Sequence, residues 1–237
     1  MFLPWKKTKF IVITTALLLS AISVYLFINF DQPYYFSVPQ YLNKVVAGID
    51  ILLLVYFGWV AIRLKNWKVG LLSMIQLALL FYLLKVIPSS HVMQFMVDKL
   101  GVFMFLLINI ISGIIAVYST RYIDEEDCST FRKKYFLTIM FFFIAVMNMV
   151  VSADDLEYFY LFFELTTLAS FLFIGFRKDP ESVRNAITAL WMNQVGGLVI
   201  LVAILIMAYN GYGAATFSNL LANAKSAGIL IPLALLS

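Results

Sequence analysis

The sequence predicts an all-α protein, a polytopic bundle of seven complete transmembrane helices plus the start of an eighth, and three observations carry that prediction. Hydrophobic residues make up 63% of the 237-residue chain, charged residues only 13%, and the mean hydropathy is +0.94, which is more apolar surface than a water-soluble globule can hide. The apolar residues fall in runs of the roughly 20 residues that a helix needs to cross a bilayer. The basic residues gather beside those runs rather than within them.

Taken in order, the runs place helices at 8–29, 45–62, 69–87, 100–118, 134–152, 155–176 and 184–209. The apolar run of the first, Phe10 to Asn29, follows Lys6, Lys7 and Lys9 and resembles a secretory signal. It is too long for one and lacks a small-residue cleavage site, so it reads as a retained helix. An eighth run starts near Ala227, and the chain ends at Ser237, about eleven residues into it, where roughly 20 are needed. The expectation is a core truncated in its eighth helix.

Placing the N-terminus in the cytoplasm sorts the 17 Lys and Arg residues unevenly. Thirteen fall inside, among them Lys6, Lys7, Lys9, Arg63, Arg121, Arg177 and Arg184; only Lys44, Lys85, Lys99 and Lys225 fall outside. Cytoplasmic loops of membrane proteins carry that excess, so a cytoplasmic N-terminus and a multi-pass position in the cell membrane are expected. The same clustering gives the net charge of +4 a topological meaning and argues against nucleic acid as a partner. Short loops, without linkers or a repeat of fixed period, indicate one bundle. Cys128 is the lone cysteine, so the chain offers no disulfide framework and no cysteine-based metal or cluster site.

Glu164 is the residue that demands a function. It lies at the middle of DLEYFYLFFELTTLASFLFIGF, with no other acid within about six residues, where an ionised group costs roughly 2.5–3.5 kcal/mol or more unless it faces a bundle interior or a wet cavity. Helical spacing aligns it with Glu157, Tyr160, Thr167 and Phe171. The stripe leads outward to Asp154, Asp155 and Glu157, and Tyr160 and Thr167 are placed to hold water against the carboxylate, giving an outward proton path; alternatively, the terminal acids are simply solvated. On the next helix Asn193 and Gln194 occupy the same depth and precede Gly196 and Gly197. Their amides could bond the carboxylate, or they could serve as glue between helices, with the glycines permitting close approach.

Other polar groups have plainer readings. Asp50 and Lys85 fall near the outer surface, where snorkelling accounts for both, although they could pair with each other. His91 reads as an ordinary loop residue. Asn109, Ser112 and Asn148 read as interhelical hydrogen-bonding groups. Asp124–Asp127 reads as a solvated loop or, alternatively, a docking point for a basic partner.

The blocks FFELTTLASFLFIGF (162–176) and NAITALWMNQVGGLVILVAIL (185–205), with Asp98-Lys99-Leu100, YSTRY (118–122) and FRKKYF (131–136) upstream, resemble the antiporter-like membrane subunits of respiratory complex I, of energy-converting nickel-iron hydrogenases and of multi-subunit cation/proton antiporters. The resemblance covers about residues 98–220. It divides the chain into an N-terminal three-helix region, 1–97, and an antiporter-like core, 98–237. It implies that Glu164 is the family's channel glutamate, that lysines on later helices work with it, and that a broken helix and a central lysine follow Ser237.

Phe163 stands where a Trp is common, and Asn193-Gln194-Val195-Gly196-Gly197 lacks the Arg and Asp of the complex I pattern. That block favours the hydrogenase-type branch. The implied function is a proton- or Na⁺-translocating subunit of a membrane oxidoreductase complex, itself without redox chemistry. Its partners would be other membrane subunits, the lipid bilayer and a peripheral redox arm, whose subunits carry iron–sulfur clusters and a nickel-iron or flavin centre. The alternatives are a subunit of a secondary antiporter without a redox partner, or a structural scaffold. The expected translocation residues are Glu164, Thr167, Tyr160, Glu157, Asn193 and Gln194.

Overall fold

The computed structural model describes residues 4–30, 32–39, 41–86, 95–126, 128–209 and 216–222. Seven helices are long and apolar enough to cross a membrane: α1 (Trp5–Asn29), α2 (Tyr41–Arg63), α3 (Trp67–Val86), α4 (Lys99–Glu125), α5 (Thr130–Ser152), α6 (Leu156–Ile174) and α7 (Pro180–Tyr209). Two three-residue strands, β1 (Tyr34–Phe36) and β2 (Phe95–Val97), pair with each other, and a short helix α8 spans Phe217–Ala222. The protein is a multi-pass, all-α membrane protein. His91, Asp127, Lys225 and the expected eighth span from Ala227 lie outside the described residues.

The helices run longer than the apolar windows that predict them because caps and polar turns extend them. α4 continues through Arg121 to Glu125, seven residues past the predicted end, and at its start the Asp98 side chain accepts the Gly101 N–H at 2.7 Å. Between α2 and α3, Lys65 takes a left-handed conformation (φ 52°), and the Asn66 side chain accepts the Lys68 and Val69 amides that α3 leaves unpaired. α6 ends earlier than predicted, tightening into a 3₁₀ turn at Gly175–Arg177.

The helices form two packing units. The first takes residues 1–34 and 97–152, so α1, α4 and α5 pack on one another. Gly113 of α4 permits a close approach, since a Cβ there would stand 3.0 Å from Ser20 Oγ. Asn109 Nδ2 donates to Ser23 Oγ (2.8 Å) and to Asn148 Oδ1 (3.1 Å), and Asn148 Nδ2 donates back to Asn109 Oδ1 (3.0 Å), joining all three helices. The interhelical reading of Asn109 and Asn148 therefore holds. Asp124 departs from the solvated-loop reading: it belongs to the last turn of α4, pairs with Lys9, accepts Trp5 Nε1–H at 2.6 Å, and offers its carbonyl to Lys133 Nζ at 2.9 Å.

The second unit takes residues 35–96 and 153–237. Here α2 packs on α3, α6 on α7, α3 on α7 and α2 on α6. Its core is apolar, with Leu54, Phe57, Leu83, Leu156, Leu190 and Ile204 nearly or fully buried. Outward positions such as Leu52, Ile62, Leu71 and Met74 are exposed and also apolar, as suits side chains that face lipid. At the end where α2 turns into α3, Arg63 lies 5.1 Å from the Trp59 ring and Lys68 lies 5.1 Å from that of Trp191. Such amphipathic side chains suit the bilayer boundary.

Candidate functional site

The polar interior of the second unit centres on Glu164, midway along α6. Glu164 is 0% exposed. Its Oε1 accepts a hydrogen bond of 3.0 Å from Gln76 Nε2 of α3, and the same amide nitrogen donates to the Gln194 carbonyl of α7 at 3.1 Å. Gln194 Nε2 in turn donates to Ser73 Oγ at 2.7 Å. Ser73 and Gln76 lie three residues apart and so share a face of α3.

Gly197 makes the seat possible. A Cβ there would overlap Glu164 Oε1 and come within 2.7 Å of Gln76 Nε2, while a Cβ at Gly196 would stand 3.0 Å from the Phe163 ring. The glycine pair serves close approach, as expected, and the group that Gly197 admits is the carboxylate itself.

The expected stripe on α6 faces inward. Tyr160, Glu164 and Thr167 are buried, and Glu157 and Phe171 half-buried. Tyr160 interacts electrostatically with Glu164, yet its hydroxyl makes no hydrogen bond of ordinary geometry. The Thr167 hydroxyl donates to the Phe163 carbonyl at 3.1 Å, so it is engaged by its own helix.

Three expectations are corrected by this geometry. The amide on the carboxylate belongs to Gln76, a residue the sequence reading did not single out; Gln194 takes part through its carbonyl, and Asn193 is only half-buried, with no hydrogen bond to Glu164. Mid-span position, the signal that identified Asn193 and Gln194, applies equally to Gln76. Secondly, Asp50 neither snorkels nor pairs with Lys85: it is 3% exposed, its Oδ1 has no hydrogen-bond partner, and Lys85 is exposed.

Thirdly, the acids that open α6 are not simply solvated. Asp154 is 5% exposed; its carboxylate accepts from Ser218 N (3.0 Å) and Oγ (2.9 Å), and its carbonyl from Phe217 N (2.9 Å), so it ties α8 to the start of α6. Asp155 caps α6 by accepting the Glu157 N–H at 2.8 Å. Burial pushes the Asp155 carboxyl up to about 6 against the lowering effect of that hydrogen bond, with the neighbouring Asp154 charge adding a smaller push.

Five buried side-chain atoms lack a hydrogen-bond partner among the described residues: Asp50 Oδ1, Gln76 Oε1, Tyr160 Oη, Glu164 Oε2 and Gln194 Oε1. All five lie on α2, α3, α6 and α7 of the second unit. Buried polar atoms are almost always satisfied in folded proteins, so five open atoms on the helices around one carboxylate set this interior apart from the apolar packing of the rest of the unit.

Two family models match the sequence. Residues 153–236 match the family described as NADH:quinone oxidoreductase/Mrp antiporter, TM, and residues 87–136 match NADH-Ubiquinone oxidoreductase (complex I), chain 5 N-terminus. Among curated relatives, a Staphylococcus haemolyticus protein named as antiporter subunit mnhA2 is 32% identical over 135 residues, which is 56% of this chain and 16% of the relative. The Na(+)/H(+) antiporter subunit A1 of Staphylococcus aureus, from strains bovine RF122 / ET3-1 and Newman, is 33% identical over 112 residues, covering 47% of this chain and 14% of the relative. The chain thus spans about a sixth of the length of the curated relatives it matches. The first model ends beyond the described residues, and the second covers the charged end of α4 and the start of α5. With Glu164 and its glycine seat inside one matched segment and the YSTRY block inside the other, the chain belongs to the superfamily of antiporter-like membrane subunits shared by complex I and the Mrp-type cation/proton antiporters.

Proposed function

We propose that this protein is an ion-translocating subunit of a multi-subunit membrane assembly and that Glu164 is its protonatable switch. One observation carries the reading. Glu164 is fully buried at mid-helix with one oxygen held by Gln76 and the other without a partner. A carboxyl group so placed can be neutral when protonated and charged when a cation or water approaches. Moving one charge across roughly 100 mV involves about 2.3 kcal/mol, so directional transport needs coupling to a second ion gradient or a redox reaction. The assembly sits in the cell membrane with the N-terminus of this chain in the cytoplasm. The thirteen-to-four division of basic residues supports that orientation.

The carried ion is H⁺, exchanged against Na⁺ or another cation, or Na⁺ itself. The names of the relatives support an antiporter assembly without a redox arm. The TALWMNQVGG block supports the hydrogenase-type branch instead, in which iron–sulfur and nickel-iron or flavin centres reside in partner subunits. Metal analysis and absorption spectra of the purified native assembly separate the two: nickel, iron or flavin in stoichiometric amount selects the redox complex, and their absence selects the antiporter.

The switch itself is tested with Glu164→Gln in the native assembly, reconstituted in vesicles and read by a pH-sensitive dye. Proton-transfer groups commonly contribute about a hundredfold or more, and a loss of at least about tenfold is expected. Full-rate transport in that variant overturns the proposal.

A further inference from the structure

Asp50 is the second acid of this unit for which packing gives no account. It projects from α2 into the interior, 3% exposed, and its Oδ1 has no hydrogen-bond partner among the described residues. A small cavity of about 10 Å³ borders it, and its polar lining comes from Asp50, Glu157 and Tyr160, set among Leu80, Leu201 and Ile204. That volume is close to what one water occupies, and a buried water needs two to four polar partners. Glu164 lies one helical turn along α6 from Tyr160, on the same face. Both Asp50 and Glu164 act electrostatically on the Tyr160 hydroxyl, which has no hydrogen-bond partner of its own.

We propose that Asp50 is a second proton-carrying carboxyl, exchanging a proton with Glu164 through the Tyr160 hydroxyl and one water in the adjoining cavity, with Glu157 as the point of exchange toward the α6 N-terminus. The step balances without a further reactant. The O–H bond of protonated Asp50 breaks and its proton passes to the water; the water passes a proton to Tyr160 Oη as Tyr160 releases its own to the Glu164 carboxylate. Asp50 ends charged, Glu164 ends protonated, and the water and the tyrosine are unchanged. Two carboxylates in one buried site repel each other, so a single negative charge moving between them is favoured over two. Tyr160 is a fitting bridge, because its hydroxyl both accepts and donates.

This inference rests on Glu164 being the switch, and the test separates the two. In vesicles containing the native assembly, Asp50→Asn and Tyr160→Phe each lower proton transport at least about tenfold, as does Glu164→Gln. An infrared difference spectrum of the same assembly after a pH step shows a carboxyl C=O band that Asp50→Asn removes and Glu164→Gln retains. Transport within about twofold of the parent in Tyr160→Phe, which keeps the ring and both acids, overturns the relay. So does a spectrum with no band that Asp50→Asn removes. Impaired Glu164→Gln with unimpaired Asp50→Asn and Tyr160→Phe defeats the relay alone; unimpaired Glu164→Gln defeats the switch on which it rests.

Discussion

The two packing units each bury polar side chains, and they treat them in opposite ways. Around Asn109, amides and hydroxyls of α1, α4 and α5 satisfy one another in a closed set of hydrogen bonds of 2.8–3.1 Å. In the Glu164 unit, five buried atoms on α2, α3, α6 and α7 have no partner among the described residues. Groups that satisfy each other hold helices together, and such bonds in a bilayer contribute roughly 0.6 kcal/mol on average and seldom above about 2. Groups left open in a buried interior are costly, and each calls for an explanation such as an ordered water, an ion or a functional role. The first network is structural, and the second is where the proposed transport would take place.

That contrast can be broken at its tightest contact first. Gly197→Ala puts a methyl group where Glu164 Oε1 sits, so the carboxylate or Gln76 must move. The expected outcome is a loss of transport comparable to that of Glu164→Gln, at least about tenfold, read by dye quenching in vesicles. In the other unit, Gly113→Ala meets Ser20 Oγ at a looser 3.0 Å. Overpacking there costs about 1–3 kcal/mol, so it lowers the melting temperature while transport per folded molecule stays unchanged. Equal transport losses at the two glycines would erase the distinction between the units.

Next in size is Gln76→Leu. It removes the hydrogen bonds to Glu164 and to the Gln194 carbonyl and leaves a buried acceptor open, a penalty of about 1–3 kcal/mol. Transport falls several-fold and thermal stability falls with it, whereas Asn193→Leu, at a half-buried position without a bond to Glu164, changes transport little. A larger effect at Asn193 than at Gln76 would restore the amide assignment expected from the sequence.

A smaller effect is expected where Asp154 ties α8 to α6. Asp154→Ala removes acceptors for Ser218 N and Oγ, and hydrogen exchange at residues 217–220 accelerates, consistent with losing a cap that contributes about 1 kcal/mol.

The smallest is a pH effect at Asp155. Its folded-state carboxyl titrates at about 6 against an ordinary 3.8, so the folded protein holds the proton more tightly than the unfolded chain. The associated stability is present below pH 3.8 and is lost as pH rises toward 6. Asp155→Asn, which does not titrate, flattens the dependence of melting temperature on pH across that window; an unchanged slope counts against it.

Much of the fold was legible because the bilayer imposes one length and one composition on every span. All seven helices were placed from apolar runs, with ends that shifted where Asp98 and Asn66 cap them or where polar turns continue α4. Glu164 was legible for the same reason, since a charge in mid-span has few innocent explanations. Its partners were not. Helical spacing reports which residues share a face of one helix, but not which neighbour that face meets, so the sequence points to an amide on α7 although α3 supplies it. Asp50 was misread because distance from a helix end does not reveal whether that turn is covered, and α6 packs over the face of α2 that bears it. Asp154 was misread because its partner, Ser218, lies 64 residues away.

The most direct test sets the two networks side by side in the native assembly, comparing proton transport per folded molecule in Glu164→Gln with that in the paired variant Asn109→Leu/Asn148→Leu. A loss of at least about tenfold is expected in the first, and a stability loss with transport preserved in the second. Undiminished transport in Glu164→Gln, or equal impairment of both, would contradict that expectation.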